Sequence, residues 1–146
     1  MIFWCVKRLS VVFVVVALLV APVFAGCVKG KPAYDLGRAF GIEFPTDMQL
    51  IYYGKGLQLM TLPSQYAVFK FQTEPTEFLT KYRFDYREVN EETFAYTDYY
   101  KKCRVPETYW LTNGGVYLHR EFASHYVTAS AYYSPEDMTL TFLYHI

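Results

Sequence analysis

The chain has 146 residues, 53% of them hydrophobic, 20% aromatic and 19% charged, and its 14 basic and 14 acidic side chains cancel to a formal charge of zero. This composition argues against an intrinsically disordered protein, which has fewer apolar residues and more net charge, and against a nucleic-acid-binding protein, which normally has a basic excess. The length suits one small folded domain.

The first 26 residues have the three-part layout of a secretory signal peptide. Lys7 and Arg8 form a basic start, residues 11–20 are an unbroken apolar run, and small residues close the segment around Ala25. The apolar run is too short for an ordinary membrane-spanning helix, because about 20 apolar residues are needed to cross a bilayer. We therefore predict that residues 1–26 direct export and are then removed.

The end of this segment, residues 24–27 with the sequence Phe-Ala-Gly-Cys, resembles the lipobox of bacterial lipoprotein precursors. In that family a small residue precedes a cysteine, which is lipidated and becomes the mature N-terminus. Ala25 and Gly26 match the pattern, whereas Phe24 stands where an aliphatic residue is usual. The resemblance covers the signal only. It implies that acyl chains such as palmitate on Cys27 anchor the protein in the cell envelope, facing the periplasm or the exterior.

Two other fates of this segment stay open. Cleavage after Ala25 would release a soluble exported chain that begins at Gly26, and an uncleaved segment would remain as an anchor. The choice decides the cysteine chemistry. With a lipid on Cys27, Cys103 is the one remaining thiol, whereas a soluble form allows Cys27 to pair with Cys103 in an oxidising compartment.

Export also changes the charge balance. Lys7 and Arg8 leave with the signal, so acidic side chains outnumber basic ones by two in the chain that follows. Because no polybasic segment is present, attachment to the membrane would rest on the lipid rather than on charge. The expected partners are the membrane, through the lipid on Cys27, and an envelope protein or a glycan. Neither nucleic acid nor a cofactor is expected.

Residues 27–41 contain three glycines and a proline, a composition that predicts a short irregular tether. Residues 42–146 are predicted to form one domain. Its first elements are strands rich in β-favouring residues, with a turn and an optional further strand segment between them. The strands cover 48–53 and 65–73, the turn 54–56 and the optional segment 57–61.

Two helices are predicted between residues 75 and 104. Pro75 suits the first turn of a helix over 75–83. Asn90 can cap a second helix, whose last turn places Lys101 and Lys102 near the negative end of the helix dipole. The apolar stripe of this second helix follows i, i+3, i+4 and i+7 spacing and consists of Tyr96, Tyr99, Tyr100 and Cys103.

The last third of the chain predicts a three-stranded antiparallel meander, with strands near 116–123, 126–133 and 138–145. Turns between these strands pair Ala123 with Tyr126 and Tyr133 with Met138. The predicted fold class is α+β, an antiparallel sheet of five or more strands with two helices packed on one side. The predicted order of elements is β-β-α-α-β-β-β.

This register separates the meander into an apolar face, which is interrupted only by Arg120, and a polar and aromatic face. The apolar face consists of Val116, Leu118, Phe122, Val127, Ala129, Ala131, Met138, Leu140 and Phe142. The opposite face consists of Tyr117, His119, Glu121, Tyr126, Thr128, Ser130, Tyr132, Thr139, Thr141 and His145.

The polar and aromatic face is the main functional candidate. Tyrosine offers an apolar ring and a hydroxyl, so such a surface can hold a sugar, a peptide or another protein at low entropic cost. The same pattern is also typical of a solvated sheet face, or of a face that packs on a loop such as 105–112 with its Trp110. The candidate binding residues are Tyr117, His119, Glu121, Tyr126, Ser130 and Tyr132.

Metal and catalytic sites find less support. His119 and His145 lie about four positions apart on this face, at roughly 3.3 Å per position, which is too far to share one metal ion. The sequence has no nucleophile elbow, zinc-protease motif or phosphate-binding glycine loop. Cys103 falls near the end of a predicted helix, where the dipole opposes a thiolate. We therefore predict no catalytic residue and no metal ligand.

The leading hypothesis is a membrane-tethered, non-enzymatic binding or interaction domain of the envelope. The alternative is a small exported hydrolase or modifying enzyme, with His119 and Glu121 as its acid-base pair. A carrier of an apolar ligand is a third hypothesis, but so short a domain has little interior volume beyond its core.

Overall fold

The computed structural model describes residues 30–56, 62–90 and 97–146. The strands are β1 (Gln49–Lys55), β2 (Ser64–Lys70), β3 (Asp85–Glu88), β4 (Val116–Ser124), β5 (Val127–Ser134) and β6 (Thr139–His145). The helices are α1 (Gly30–Phe40), α2 (Thr76–Lys81) and α3 (Thr97–Lys102), and Glu107–Tyr109 forms a 3₁₀ turn. The strands build one antiparallel sheet of six strands, in the order β1-β2-β6-β5-β4-β3. None of the described helices is long and apolar enough to cross a membrane.

The α+β class and the antiparallel sheet are confirmed. The observed order of elements is α-β-β-α-β-α-β-β-β, because α1 and β3 are added to the predicted elements. Some predictions fall outside the described residues, namely the signal over 1–26 with Cys27, the strand segment 57–61, and Tyr96 in the stripe of the second helix.

The register of the last three strands differs from the predicted one by two residues. Ala123 lies opposite Thr128 rather than Tyr126, and Tyr133 lies opposite Leu140 rather than Met138. A positive φ of 51° at both His125 and Met138 sets the turns, which a count from the sequence could not anticipate. Because side chains alternate with a period of two, a shift of two residues leaves the composition of the strand faces unchanged.

Helix α1 occupies most of the segment that was predicted to be a tether, so that prediction is wrong for residues 30–40. Ala33 and Leu36 are buried on the sheet, and the half-buried Phe40 continues their stripe at helical spacing. Gly41 ends the helix in the left-handed region, with φ of 69°, and donates its N–H to the carbonyl of Gly37. Of the three glycines that indicated a tether, Gly30 begins the helix, Gly37 lies within it and Gly41 ends it.

The short strand β3 was not predicted. It pairs with the first half of β4, where Asp85 lies opposite His119 and Glu88 opposite Val116. Its four residues include three charged ones, so they show no apolar alternation. Charged side chains are typical of an edge strand, where they discourage pairing with a further chain.

Helices cover both faces of the sheet, so the prediction that they pack on one side is wrong for α3. On one face, which we call the helix face, Leu36 of α1 and Phe78 of α2 lie in the core. On the other, which we call the loop face, α3 with its Tyr100 and the covering loop, residues 103–112, form a second core. The reason lies in β2, where residues 64–69 are all buried, because a strand without exposed positions needs a layer on each side.

The close approach of α3 to β1 explains why position 54 is a glycine. The hydroxyl of Tyr52 donates to the carbonyl of Cys103, at 2.6 Å, which brings the end of α3 against β1. A Cβ atom at Gly54 would lie 2.1 Å from the carbonyl oxygen of Cys103, a distance that no real side chain tolerates. Residues 54–56 were predicted to be a turn, but Gly54 and Lys55 belong to β1, and Gly54 serves close packing instead.

Candidate functional site

The structure does not bring the six predicted binding residues into one open surface. Tyr126 lies in the β4–β5 turn and is 96% exposed, so it does not belong to the loop face. The other five project from the loop-face side of β4 and β5: Tyr117, His119, Glu121, Ser130 and Tyr132.

Tyr132 is the centre of this group and is only 1% exposed. The ring of Tyr117 meets it edge to face, at 6.1 Å between centroids, and the ring of His119 lies 4.6 Å away on another side. The covering loop closes over it with Leu111, which belongs to the same buried cluster. Tyr132 therefore contributes to the core rather than to a surface. Within the group, only Glu121 remains well exposed.

Hydrogen bonds hold the covering loop on the sheet. The hydroxyl of Tyr66 donates to the carbonyl of Tyr109, at 2.5 Å, and burial raises the pKa of Tyr66 well above its usual value. At the end of the loop the N–H of Thr112 donates to the hydroxyl of Tyr117, at 2.8 Å. Because both bonds involve backbone groups of the loop, they fix its path and not merely one of its side chains.

A stacked pair of rings stiffens the same loop. Trp110 lies parallel to Tyr100 of α3, with 4.6 Å between the ring centroids and 6° between their planes. The indole N–H of Trp110 donates to the carbonyl of Val105, at 2.8 Å, and the hydroxyl of Tyr100 accepts the N–H of Leu111, at 3.0 Å. Trp110 is still 40% exposed, so the stacked ring also forms part of the surface.

Between the covering loop and the sheet lies an open cleft of about 520 Å³. Its aromatic lining consists of Tyr109, Trp110 and Tyr117, and its hydroxyl lining of Thr108, Thr112, Ser134, Thr139 and Thr141. The charged side chains at the cleft are Lys70 and Asp137, and the ammonium of Lys70 donates to the backbone carbonyl of Asp137. Aromatic rings and neutral hydroxyls around a concave surface suit a ligand with apolar faces and a polar rim.

His119 occupies a separate polar group at the edge of the sheet, together with Arg87 and Glu121. Its Nδ1 lies 3.5 Å from a guanidinium nitrogen of Arg87, which can only donate. Nδ1 must therefore accept, and the proton of the neutral ring lies on Nε2. That Nε2 is buried without a hydrogen-bond partner, 4.0 Å from the carboxylate of Glu121. Burial, and then the charge of Arg87, lowers the pKa of His119.

This geometry gives little support to an acid-base role for His119 and Glu121. A general base must present a free basic nitrogen to a substrate. In His119 the basic nitrogen faces Arg87, and the other nitrogen is enclosed by protein atoms. The carboxylate of Glu121 is 66% exposed and lies 3.9 Å from Arg87.

Among the described residues, no three or more His, Cys, Asp or Glu side chains come together as a metal site would require. His119 is level with Tyr132 and Thr141 across the sheet, and His145 lies four positions further along β6. His145 is also engaged elsewhere, since its Nε2 accepts the hydroxyl of Tyr99 at 2.5 Å and its Nδ1 faces the carbonyl of Leu62 at 3.4 Å.

Cys103 is a free, buried thiol. It is 3% exposed, and its Sγ donates to the carbonyl of Ser64 at 3.3 Å. Burial raises its pKa, which disfavours the reactive thiolate. A disulfide with Cys27 would require this thiol to leave the core.

Comparison of the chain with protein-family models, with curated proteins and with solved structures gives no match. The candidate site therefore rests on geometry alone. Sequence reasoning named Tyr117 but missed the cleft beside it, because the cleft depends on where the covering loop returns to the sheet. The one sequence signal for it is the aromatic pair Tyr109 and Trp110 in a loop that follows Pro106.

Proposed function

We propose that this protein is a membrane-tethered lipoprotein of the bacterial envelope that binds a neutral glycan in the cleft beside Tyr117 and performs no chemistry on it. The cleft is the observation that carries the proposal. It gathers three aromatic rings and five aliphatic hydroxyls on one concave surface of about 520 Å³. That volume lies within the range of about 300–1,000 Å³ that small-molecule sites occupy.

The chemistry of the lining favours a sugar over other ligands. A pyranose ring has an apolar face that packs on an aromatic ring, and a rim of hydroxyls that exchanges hydrogen bonds with threonine and serine. An anionic ligand is less well served, because the ammonium of Lys70 is engaged by the carbonyl of Asp137 and the carboxylate of Asp137 is close by. An apolar ligand would offer the hydroxyl of Thr139 no hydrogen-bond partner in the cleft.

The proposed anchor rests on the resemblance of residues 24–27 to a lipobox. The state of Cys103 agrees with it, since a buried, hydrogen-bonded thiol leaves Cys27 free to carry a lipid. Intact mass spectrometry of the protein from bacterial membranes tests the anchor directly. A diacylglyceryl group on Cys27 is expected, and an unmodified chain that begins at Gly26 would contradict the proposal.

A built-in probe tests the ligand. Trp4 belongs to the predicted signal, so Trp110 is the single tryptophan of the mature chain and lies at the cleft. Titration with neutral oligosaccharides, among them di-N-acetylchitobiose and maltose, should shift the emission of Trp110 in a saturable way for at least one of them. If no glycan changes the emission while a fatty acid does, the carrier hypothesis replaces this one.

A further inference from the structure

The outer face of α1 has a composition unlike the rest of the helix. Lys31, Tyr34 and Arg38 share this face at i, i+3 and i+7 spacing, and all three are exposed. The side chain of Lys31 is 72% exposed and Tyr34 is 66% exposed. Pro32, Ala33 and Leu36 are buried on the opposite side, so α1 is amphipathic and its polar side carries cations and one tyrosine.

The acidic side chains Asp35 and Glu43, near this surface, are each paired with a lysine. Asp35 is 19% exposed and its carboxylate lies 2.7 Å from the ammonium of Lys31, so the charges of this pair cancel and Arg38 supplies the positive charge of the face. Glu43, which follows α1, is paired with Lys81 of α2. Basic side chains next to tyrosine are what the headgroup region of a membrane favours, because the cations meet anionic lipid and the amphipathic ring suits the interface.

In the chain, α1 begins close to the proposed lipid anchor at Cys27. Cys27 lies three residues before Gly30, the first residue of α1, and three residues can span at most about 11 Å. If acyl chains on Cys27 are inserted in the bilayer, α1 cannot lie far from the headgroups. The first helix is therefore the part of the domain held closest to the lipid.

We propose that the outer face of α1, with Lys31, Tyr34 and Arg38, lies against the lipid headgroups and prefers anionic lipid. This inference rests on the proposed lipid anchor at Cys27. It also sets the orientation of the domain, because α1 covers the helix face and the cleft lies on the loop face. The cleft then opens away from the membrane, toward ligands in the compartment.

Tryptophan quenching tests the contact in the full lipidated protein. In a Trp110→Phe background, Tyr34→Trp places the single mature-chain tryptophan on α1, whereas the unsubstituted protein has it on the opposite face at Trp110. Both proteins are inserted in vesicles of brominated phosphatidylcholine, with or without phosphatidylglycerol. We expect the tryptophan at position 34 to be quenched more strongly than Trp110, since an interfacial tryptophan lies at the level of the headgroups, next to the brominated acyl chains.

Two further variants test the preference for anionic lipid. Arg38→Gln should reduce the extra quenching that phosphatidylglycerol gives at position 34, whereas Arg104→Gln, an exposed site after α3, should not. Equal quenching at positions 34 and 110 in vesicle-bound, lipidated protein would overturn the contact and leave the anchor intact. A protein without lipid on Cys27 that stays in solution would instead overturn the anchor of the proposed function.

Discussion

The hydroxyl of Tyr117 accepts a hydrogen bond from the backbone N–H of Thr112, with 2.8 Å between oxygen and nitrogen. Tyr117 stands on β4 and Thr112 ends the covering loop, so this bond joins the floor of the cleft to its wall. The bond therefore fixes the end of the covering loop, and with it the shape of the cleft, relative to β4.

Replacing Tyr117 by phenylalanine removes this acceptor and keeps the ring. We expect the free energy of unfolding to fall by about 1 kcal/mol, the usual contribution of one hydrogen bond. The more specific result is faster hydrogen exchange at the amide of Thr112, measured by NMR. Tyr86→Phe is the control, because Tyr86 is 78% exposed and should change neither quantity.

Two buried tyrosines should respond in opposite ways to loss of the hydroxyl. Tyr66 donates to the carbonyl of Tyr109, so Tyr66→Phe should destabilise the fold by about 1–2 kcal/mol. The hydroxyl of Tyr144 is buried without a hydrogen-bond partner, so Tyr144→Phe should be neutral or stabilising. Urea denaturation measures both, and a larger loss for Tyr144→Phe would contradict the assigned contacts.

Gly54 should tolerate no side chain. Gly54→Ala places a Cβ atom 2.1 Å from the carbonyl oxygen of Cys103, so α3 must move away from β1. We expect a loss of more than about 3 kcal/mol, in the range of severe packing defects. Gly41→Ala is the matched control: it has φ of 69° but open space around it, and should cost only about 1 kcal/mol. Thermal denaturation of the two variants would show equal losses if the close approach were absent.

His119 should make stability depend on pH. Burial and the neighbouring Arg87 lower its pKa in the folded state below the value of about 6.5 that an unfolded chain has. Below pH 6.5 the unfolded state therefore takes up a proton that the folded state resists, and stability falls as the pH drops toward the lowered folded pKa. His119→Gln should flatten this part of the stability profile, measured by urea denaturation between pH 7.5 and 5. An unchanged slope would contradict the assignment.

The sheet was the predictable part of this fold. In β4, β5 and β6 the apolar and polar residues alternate, and the core face of Phe122, Ala129 and Phe142 follows from that alternation alone. The register was wrong by two residues because the turns depend on positive φ values, yet the faces survived the error.

The remaining elements could not be predicted from the sequence, for physical reasons. The apolar stripe of α1 is interrupted by glycines, and β3 is too short and too charged to show a period. Helix α3 packs on the second side of the buried strand β2. The sequence of β2 does not indicate which helix covers which side, because its residues are apolar or buried on both sides. The cleft depends on the hydrogen bond between Thr112, at the end of the covering loop, and Tyr117. Neither a threonine nor a tyrosine in the sequence indicates such a contact.

Binding of a neutral glycan in the cleft is tested most directly by a comparison of two threonines on the loop face. Thr139 lines the cleft, whereas Thr128 lies six positions further along the sheet, level with His145, and is exposed. For the oligosaccharide that shifts the emission of Trp110, Thr139→Val should weaken binding by about three- to tenfold, the effect of one lost hydrogen bond. Thr128→Val should leave the affinity unchanged. Equal affinity in both variants and in the unsubstituted protein would contradict the account.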